Sequence, residues 1–249
     1  MNIVFLTTDD PIYLPSFFAR VLEERARDTV SVCIVPPLYR GQSRRQALVR
    51  YYRTFGAAAT AQLARRVAGA RLRRASIGRV AEQRGVAWRN VTDVNAPGLL
   101  EWLRELQPDL LVSVSCPQIF RRPLLELPAI GCLNIHGAEL PNYRGIMPSF
   151  WMLANGERQA GVSIYFMNEE IDAGDLCGQR TFEIRPDETL DAFLRRSKHV
   201  AAELLLDVLS EVERGSVTRR PLDLARGSYY SWPDRQAVQR FRALGRRLW

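Results

Sequence analysis

Residues 131–137, GCLNIHG, combine a short apolar run with two polar side chains, and the fold can be worked out from this stretch. The alternation is that of a strand, in which residues two apart lie on the same face. Asn134 and His136 are therefore predicted to leave one face together, near the carboxyl end of the strand. An amide and an imidazole placed there can hold an oxygen that gains negative charge while a proton moves nearby. A single histidine after an apolar run is more often structural, so this interpretation depends on the neighbouring sequence.

The sequence on either side alternates between strand-like and helix-like segments. Five β-branched or apolar runs are typical of strands, at residues 2–7, 29–35, 86–91, 110–115 and 131–135. Helical spacing occupies residues 14–27 and 96–106. The alternation predicts an α/β fold, a Rossmann-like and mostly parallel sheet flanked by helices. Ligands in such sheets bind beyond the carboxyl ends of the strands, where both Asn134 and His136 are expected.

Several classes of protein are disfavoured by what the sequence does not contain. No GxGxxG or Walker sequence follows a strand, which counts against NAD, FAD and ATP enzymes. No apolar run approaches the ~20 residues of a membrane span, and residues 1–6 do not resemble a signal peptide, so a cytoplasmic protein is expected. The four cysteines form no CxxC pair and there are only two histidines. We therefore expect reduced, mostly buried thiols and no protein-held metal.

The charge is strongly positive and unevenly distributed. The net charge is +8, and every basic residue except Lys198 is arginine. Arginines are densest at residues 40–84, predicted to be a helical basic insertion between two sheet strands, and at residues 235–247. Solvated helix faces explain these stretches better than nucleic-acid contact, because no recognised nucleic-acid motif accompanies them. An anionic small molecule, such as a phosphate or a nucleotide, is the expected partner.

The last part of the chain has a different character. It is predicted to contain a strand at residues 178–184, a long amphipathic helix at 189–214 capped by Asp187 or Thr189, an edge strand at 216–220 and a helix at 234–247. Residues 1–214 are expected to form the catalytic domain and residues 215–249 a short, helical C-terminal extension. His199, on the long helix, is expected to be structural or exposed.

An ordered set of short motifs runs through the middle of the chain. They are PDLLV at residues 108–112, GCLNIH at 131–136, LPNYRG at 140–145, NGE at 155–157, GVSI at 161–164 and IDAGD at 171–175. Taken together, residues 107–213 resemble the catalytic domain of the 10-formyltetrahydrofolate-dependent formyltransferases. That family includes methionyl-tRNA, glycinamide ribonucleotide and sugar N-formyltransferases. The resemblance is weaker at the first strand and poor between residues 40 and 84.

The resemblance implies a catalytic trio of Asn134, His136 and Asp172. Asn134 and His136 would hydrogen-bond the formyl oxygen as it becomes an oxyanion. Asp172 would orient His136 and help to remove the proton from the attacking amine, through water. One oxyanion donor is worth roughly 2.7–4 kcal/mol, and such a mechanism needs no metal.

The resemblance also implies which loops bind the folate donor. The first comprises Pro117, Gln118, Ile119 and Phe120, which would line the pterin pocket. The second comprises Met167, Asn168, Glu169 and Ile171. For Ile119 and Phe120, plain core packing is an equally good interpretation.

On the acceptor side, the resemblance points to Glu139, Tyr143 and Arg144. Glu139 would face the acceptor amine or simply be exposed, and Arg144 would contact a phosphate or carboxylate or lie free on the surface. Residues 215–249 are too few for the tRNA-binding barrel of the initiator-tRNA enzymes. The acceptor favoured by these features is a nucleotide-linked amino sugar.

Alternatives to that acceptor stay open. Another amine, such as a small amine or an aminoacyl group, or water in a formyltetrahydrofolate hydrolase, would use the same trio. A different class of function is a basic nucleic-acid-binding protein on a catalytically dead formyltransferase fold. Apolar residues at 229–232 offer material for a homodimer contact.

Overall fold

A seven-stranded sheet occupies the centre of the protein in the computed structural model, which describes residues 1–39 and 41–249. Arg40, where the predicted basic insertion begins, lies outside the described residues. The strands are β1 (Asn2–Thr8), β2 (Thr29–Val35), β3 (Ala87–Asn90), β4 (Leu110–Val114), β5 (Gly131–His136), β6 (Arg144–Gly145), β7 (Gln159–Phe166), β8 (Asp175–Glu183) and β9 (Tyr229–Tyr230).

Helices cover both faces of this sheet. They are α1 (Leu14–Glu24), α2 (Arg44–Phe55), α3 (Ala57–Leu72), α4 (Ile77–Gln83), α5 (Pro97–Leu106), α6 (Arg122–Leu125), α7 (Pro148–Ala154), α8 (Leu190–Glu213) and α9 (Arg235–Ala243), with a 3-10 turn at Leu224–Arg226. The segment predicted as a basic insertion contributes α2, α3 and α4 between β2 and β3. Among the described residues, no helix combines the length and the apolar character needed to cross a membrane.

The strand order is β3-β2-β1-β4-β5-β7-β8. Neighbours from β3 to β5 are parallel, whereas β7 is antiparallel to both β5 and β8. The α/β fold with a mostly parallel sheet flanked by helices is therefore confirmed. The order reverses between β1 and β4, which makes that boundary the topological switch point where ligands of open α/β sheets bind.

The register brings three chain segments side by side at the carboxyl edge of the sheet. Thr7 pairs with Val114, and Val114 pairs with Ile135. The residues that follow these three, Thr8, Ser115 and His136, consequently form one row across the switch point. Adjacent parallel strands lie about 4.8 Å apart, so each member of the row is close to the next.

Two hydrophobic cores explain which side chains of β5 remain available for chemistry. Leu133 and Ile135 enter the core beneath α1 and α8, while Cys132 enters the core beneath α5. Asn134 and His136 alternate along the strand with Leu133 and Ile135. Their side chains therefore leave the sheet on the same face as that of Cys132, the face covered by α5.

The remaining differences from the predicted elements have local causes. The strand β7 was not recognised as a separate element, and β8 begins at Asp175 rather than at residue 178. The edge strand predicted at 216–220 is wrong: the segment makes one isolated bridge between Arg220 and Leu176, and Pro221 then removes the next donor. Helix α9 ends at Ala243 because Gly245, with φ of 70°, adopts the left-handed conformation that terminates helices.

Candidate active site

His136 is held at the end of β5 by a main-chain oxygen. Its side chain is buried, and Nε2 lies 2.8 Å from the carbonyl oxygen of Tyr143. Because a carbonyl only accepts, Nε2 must carry a hydrogen, which leaves Nδ1 as the unprotonated nitrogen of the neutral ring. Nδ1 points towards Oδ2 of Asp172 at 3.6 Å, too far for a direct hydrogen bond. A proton taken up on Nδ1 would therefore face a carboxylate that stabilises the imidazolium.

Asp172 reaches this position through an unusual backbone. It has φ of 50°, in the left-handed region, where aspartate is better tolerated than most residues. Two residues later, a Cβ on Gly174 would overlap the carbonyl oxygen of Phe166, so only glycine fits there. The IDAGD motif thus folds the loop tightly against β7, and the buried carboxylate of Asp172 turns back towards β5.

Both oxygens of the Asp172 carboxylate are fixed by hydrogen bonds. Oδ2 accepts from the backbone N–H of Gly145 at 2.7 Å, and Oδ1 accepts from the Tyr165 hydroxyl at 2.8 Å. The guanidinium of Arg144 donates from Nε and Nη2 to the carbonyl oxygen of Ile171, at 3.2 and 2.8 Å. The two residues of β6 thereby clamp the loop that carries the carboxylate.

Tyr165, which the sequence did not single out, joins two members of the predicted trio, Asn134 and Asp172. It pairs with Asn134 across β5 and β7, and its hydroxyl accepts a 2.9 Å hydrogen bond from Asn134 Nδ2. Burial and the negative charge of Asp172 raise the pKa of Tyr165 well above its usual value of 10, so the phenol stays protonated. The result is a chain of hydrogen bonds from Asn134 through Tyr165 to Asp172. The second N–H of the Asn134 amide is not used for this chain.

The first predicted folate loop is anchored by its own side chains. Gln118 accepts from the backbone N–H of Val94 at 2.8 Å and donates to the carbonyl oxygen of Thr92 at 2.9 Å. Phe120 is only 2% exposed, so for this residue the core-packing interpretation is correct, whereas Ile119 is 62% exposed. Pro117 is partly buried. Gln118 and Phe120 therefore shape the loop, and Ile119 is the side chain that it presents.

The second predicted folate loop lies against the first. Met167 packs onto the same core as Phe120, and its backbone N–H donates to the carbonyl oxygen of Cys132 at 2.7 Å. Asn168 closes a turn by accepting from the N–H of Glu170 at 3.0 Å. Glu169 is exposed, and Ile171 is 44% exposed. Ile119 and Ile171 are thus apolar side chains left in solvent on the two loops, as expected for the walls of a site for a flat, partly apolar ligand.

The residues predicted on the acceptor side have unequal roles. Glu139 is exposed. The phenol of Tyr143 donates to Glu157 at 2.5 Å and its ring stacks on Tyr230, so its carbonyl, not its side chain, serves the site. Arg144 is engaged with Ile171, as described above, rather than free on the surface.

All four cysteines are free thiols. Burial raises the pKa of each of the four free cysteines to about 12, so the thiols are protonated at neutral pH. No group of three or more potential metal ligands was found among the described residues.

Comparison with known proteins agrees with this geometry. A sequence profile described as "Formyl transferase" matches residues 1–209. A curated relative, methionyl-tRNA formyltransferase of Geobacter metallireducens, is 37% identical over 150 residues, which cover 60% of this chain and 48% of the relative. The chain thus spans about half the length of the curated relatives it matches.

Two solved structures share the fold at lower identity. A sugar N-formyltransferase from a Shewanella species has a TM-score of 0.60 and 22% identity, covering 93% of this chain and 77% of its own. An N-formyltransferase from Helicobacter canadensis, in complex with folinic acid and dTDP-3-aminofucose, has a TM-score of 0.60 and 16% identity, covering 93% and 71%. At these identities the likeness concerns the fold alone.

Proposed function

The chain belongs to the formyl transferase family, and from that premise we propose that it transfers a formyl group from 10-formyltetrahydrofolate to a primary amine. The observation that carries this proposal is the convergence of Asn134, His136 and Asp172 at the carboxyl end of β5, with Asp172 Oδ2 at 3.6 Å from His136 Nδ1. The amide and the imidazole lie on β5 and the carboxylate lies on the loop between β7 and β8, and each group is fixed by hydrogen bonds.

The chemistry needs an oxyanion to be stabilised and protons to be moved. The acceptor nitrogen attacks the formyl carbon, the bond from that carbon to N10 of the folate breaks, and N10 takes up a proton while the amine loses one. The free N–H of Asn134 and the Nδ1–H of a protonated His136 hold the formyl oxygen, since the Nε2–H of His136 is already donated to the Tyr143 carbonyl. Each such donor contributes roughly 2.7–4 kcal/mol. Asp172 stabilises the imidazolium and accepts the amine proton through water.

The donor would lie between the two loops described above. Ile119, Met167 and Ile171 offer apolar contact to its ring, and the backbone of these loops offers hydrogen bonds. The formyl group would then reach Asn134 and His136 at the carboxyl end of β5, next to the loop that carries Asp172.

For the acceptor, the proposal is the amino group of a nucleotide-linked amino sugar. The amine-bearing ligand of the Helicobacter canadensis structure is of this class. The net charge of +8 suits an acceptor that carries a diphosphate. Methionyl-tRNA, the acceptor named by the curated relatives, is the main competing substrate.

Release of tetrahydrofolate from 10-formyltetrahydrofolate by the purified protein tests the proposal. Turnover that depends on an added dTDP-linked amino sugar, and that is lost in Asn134→Ala, supports it. Turnover without any amine would show a hydrolase, and turnover only with methionyl-tRNA would replace the proposed acceptor. His199→Ala, on α8, is the matched control for loss of a histidine and should keep full turnover.

A further inference from the structure

Lys198, the single lysine of the chain, reaches the carboxyl edge of the sheet from α8. Its Nζ donates a 2.7 Å hydrogen bond to the hydroxyl of Ser115. Ser115 directly follows β4 with φ of 53°, in the left-handed region. Ser115 is the neighbour of His136 in the row formed by Thr8, Ser115 and His136. Lys198 therefore reaches this row from the α8 side of the sheet, whereas the side chain of His136 leaves on the α5 side.

The ammonium is only partly satisfied there. An ammonium has three donors, and within residues 1–39 and 41–249 its one hydrogen-bond acceptor is Ser115. The carboxylate of Asp10, whose charge acts on Lys198, uses Oδ1 to accept from the backbone N–H groups of Ile12 and Tyr13, at 2.8 and 3.1 Å. Burial lowers the pKa of Lys198, and the charge of Asp10 partly opposes this. A half-buried cation with spare donors is suited to an anionic ligand.

Among the described residues, the charge that acts on Lys198 itself is that of Asp10, whereas arginines are concentrated further away. Residues 29–81 contain eleven arginines and no aspartate or glutamate. Across the loop that follows β1 lies a hollow of about 520 Å³, whose walls include Arg65, Arg66, Arg73 and Arg195. Arg195 precedes Lys198 by three residues on α8, and therefore shares its face. Asp191 pairs with Arg66 and Arg195, but in the described part of the chain no carboxylate pairs with Arg65 or Arg73.

We infer that Lys198 binds a phosphate group of the acceptor, so that the amine formylated at His136 belongs to a phosphorylated molecule. This inference rests on the proposed function and adds to it the residue that recognises a phosphate of the acceptor. The arginines of the hollow extend the positive field away from the reacting amine, where further phosphates of a nucleotide would lie. The competing interpretation is that Lys198 only ties α8 to the end of β4.

Charge removal separates these two interpretations. Lys198→Gln keeps a donor for Ser115 but removes the charge, and Lys198→Arg keeps the charge. Arg235→Gln, at the exposed start of α9, is the control for losing one positive charge elsewhere. Binding of dTDP and of inorganic phosphate is measured by titration calorimetry, together with the KM of a dTDP-linked amino sugar and the Kd of 10-formyltetrahydrofolate.

We expect Lys198→Gln to weaken dTDP binding and raise the acceptor KM by about tenfold or more, with kcat and the folate Kd nearly unchanged, since a hydrogen bond to a charged group is lost. Lys198→Arg should restore most of the binding, and Arg235→Gln should match the wild type. If both inorganic phosphate and dTDP compete with the acceptor, the site binds any phosphate group. If only dTDP competes with the acceptor, the site recognises a nucleotide.

Unchanged dTDP affinity in Lys198→Gln, with or without a lower melting temperature, would overturn the inference. Because dTDP binding is measured without turnover, that result is distinct from failure of the proposed function, which would appear as a wild-type protein that neither binds nor consumes the folate donor.

Discussion

The hydroxyl of Tyr165 donates to Oδ1 of Asp172 at 2.8 Å, and this bond fixes a carboxylate that is otherwise carried on a loop. The same hydroxyl accepts from Asn134. Tyr165 on strand β7 therefore positions two side chains, Asn134 on the neighbouring strand β5 and Asp172 on the loop that follows β7. Rigid support of this kind is what a constellation of reacting groups needs, because small displacements are costly in rate.

Tyr165→Phe should lower kcat by roughly tenfold to a hundredfold, because Asn134 and Asp172 each lose a partner and become mobile. The stability loss should be modest, about 1 kcal/mol, since one net hydrogen bond disappears. Single-turnover kinetics and thermal unfolding measure the two effects. Tyr51→Phe, on α2, is the matched control. Wild-type kcat in Tyr165→Phe would remove this residue from the positioning network.

Asn134→Ala and His136→Ala should each reduce kcat/KM by about 10²–10³-fold, the effect of losing one oxyanion donor. Each variant should keep the circular dichroism spectrum of the wild type and lose about 1 kcal/mol of stability, because the hydrogen bond of Asn134 to Tyr165 or of His136 to the Tyr143 carbonyl disappears. If either variant turned over at near-normal rate, the role assigned to that side chain would be refuted.

Arg144→Ala should raise the KM for the folate donor and lower kcat, because its guanidinium holds the loop of Ile171 and Asp172 through the Ile171 carbonyl. An effect of about tenfold on kcat/KM is expected for two charge-assisted hydrogen bonds. Arg144→Lys should restore only part of it, since an ammonium lacks the fork geometry. Steady-state kinetics on both variants checks this, with the exposed Arg27→Ala as the control.

Gly174→Ala should displace the Asp172 loop, because the added Cβ would overlap the carbonyl oxygen of Phe166. We expect loss of activity together with a stability loss of about 1–3 kcal/mol. Gly98→Ala is the counterpart: nothing lies within 4 Å of the new Cβ in α5, and the protein should gain about 0.5–1 kcal/mol. Chemical denaturation measures the free energy of unfolding of both variants. Equal values for Gly174→Ala and Gly98→Ala would contradict the close approach at Gly174.

The cysteines should react slowly with a thiol reagent at pH 8, because burial raises the pKa of each to about 12. Cys116 is the sharpest case, since it lies beside the first folate loop and is the least buried of the four. Labelling followed by mass spectrometry should show four fast sites only after unfolding. Fast labelling of Cys116 in the folded protein would contradict its protonated state.

The sequence was sufficient for features that depend on local periodicity. The alternation in β5 placed Asn134 and His136 on one face, and the alternation of strands and helices predicted the parallel part of the sheet. Tyr165 could not be found in the same way, because its role depends on the antiparallel register of β7 against β5. That register follows from the order of strands in the whole sheet, not from the sequence near residue 165.

Long-range contacts also explain why some residues were interpreted differently from what the structure shows. Arg144 resembled a surface arginine because its partner, the Ile171 carbonyl, lies on another loop. Phe120 and Ile119 are adjacent and similar in character, yet one is in the core and the other in solvent. Only the path of the loop after β4 decides between them.

The row of Thr8, Ser115 and His136 draws on three segments, the first more than a hundred residues before the other two, and it is completed by Asp172 from a fourth. A partly folded chain cannot bring these residues together, so a molecule that binds there binds the folded protein and not the unfolded one. Binding at a hundred times Kd would add about 2.7 kcal/mol to the free energy of unfolding. Thermal shift with folate or nucleotide libraries should therefore report ligands of this site even before a reaction is observed.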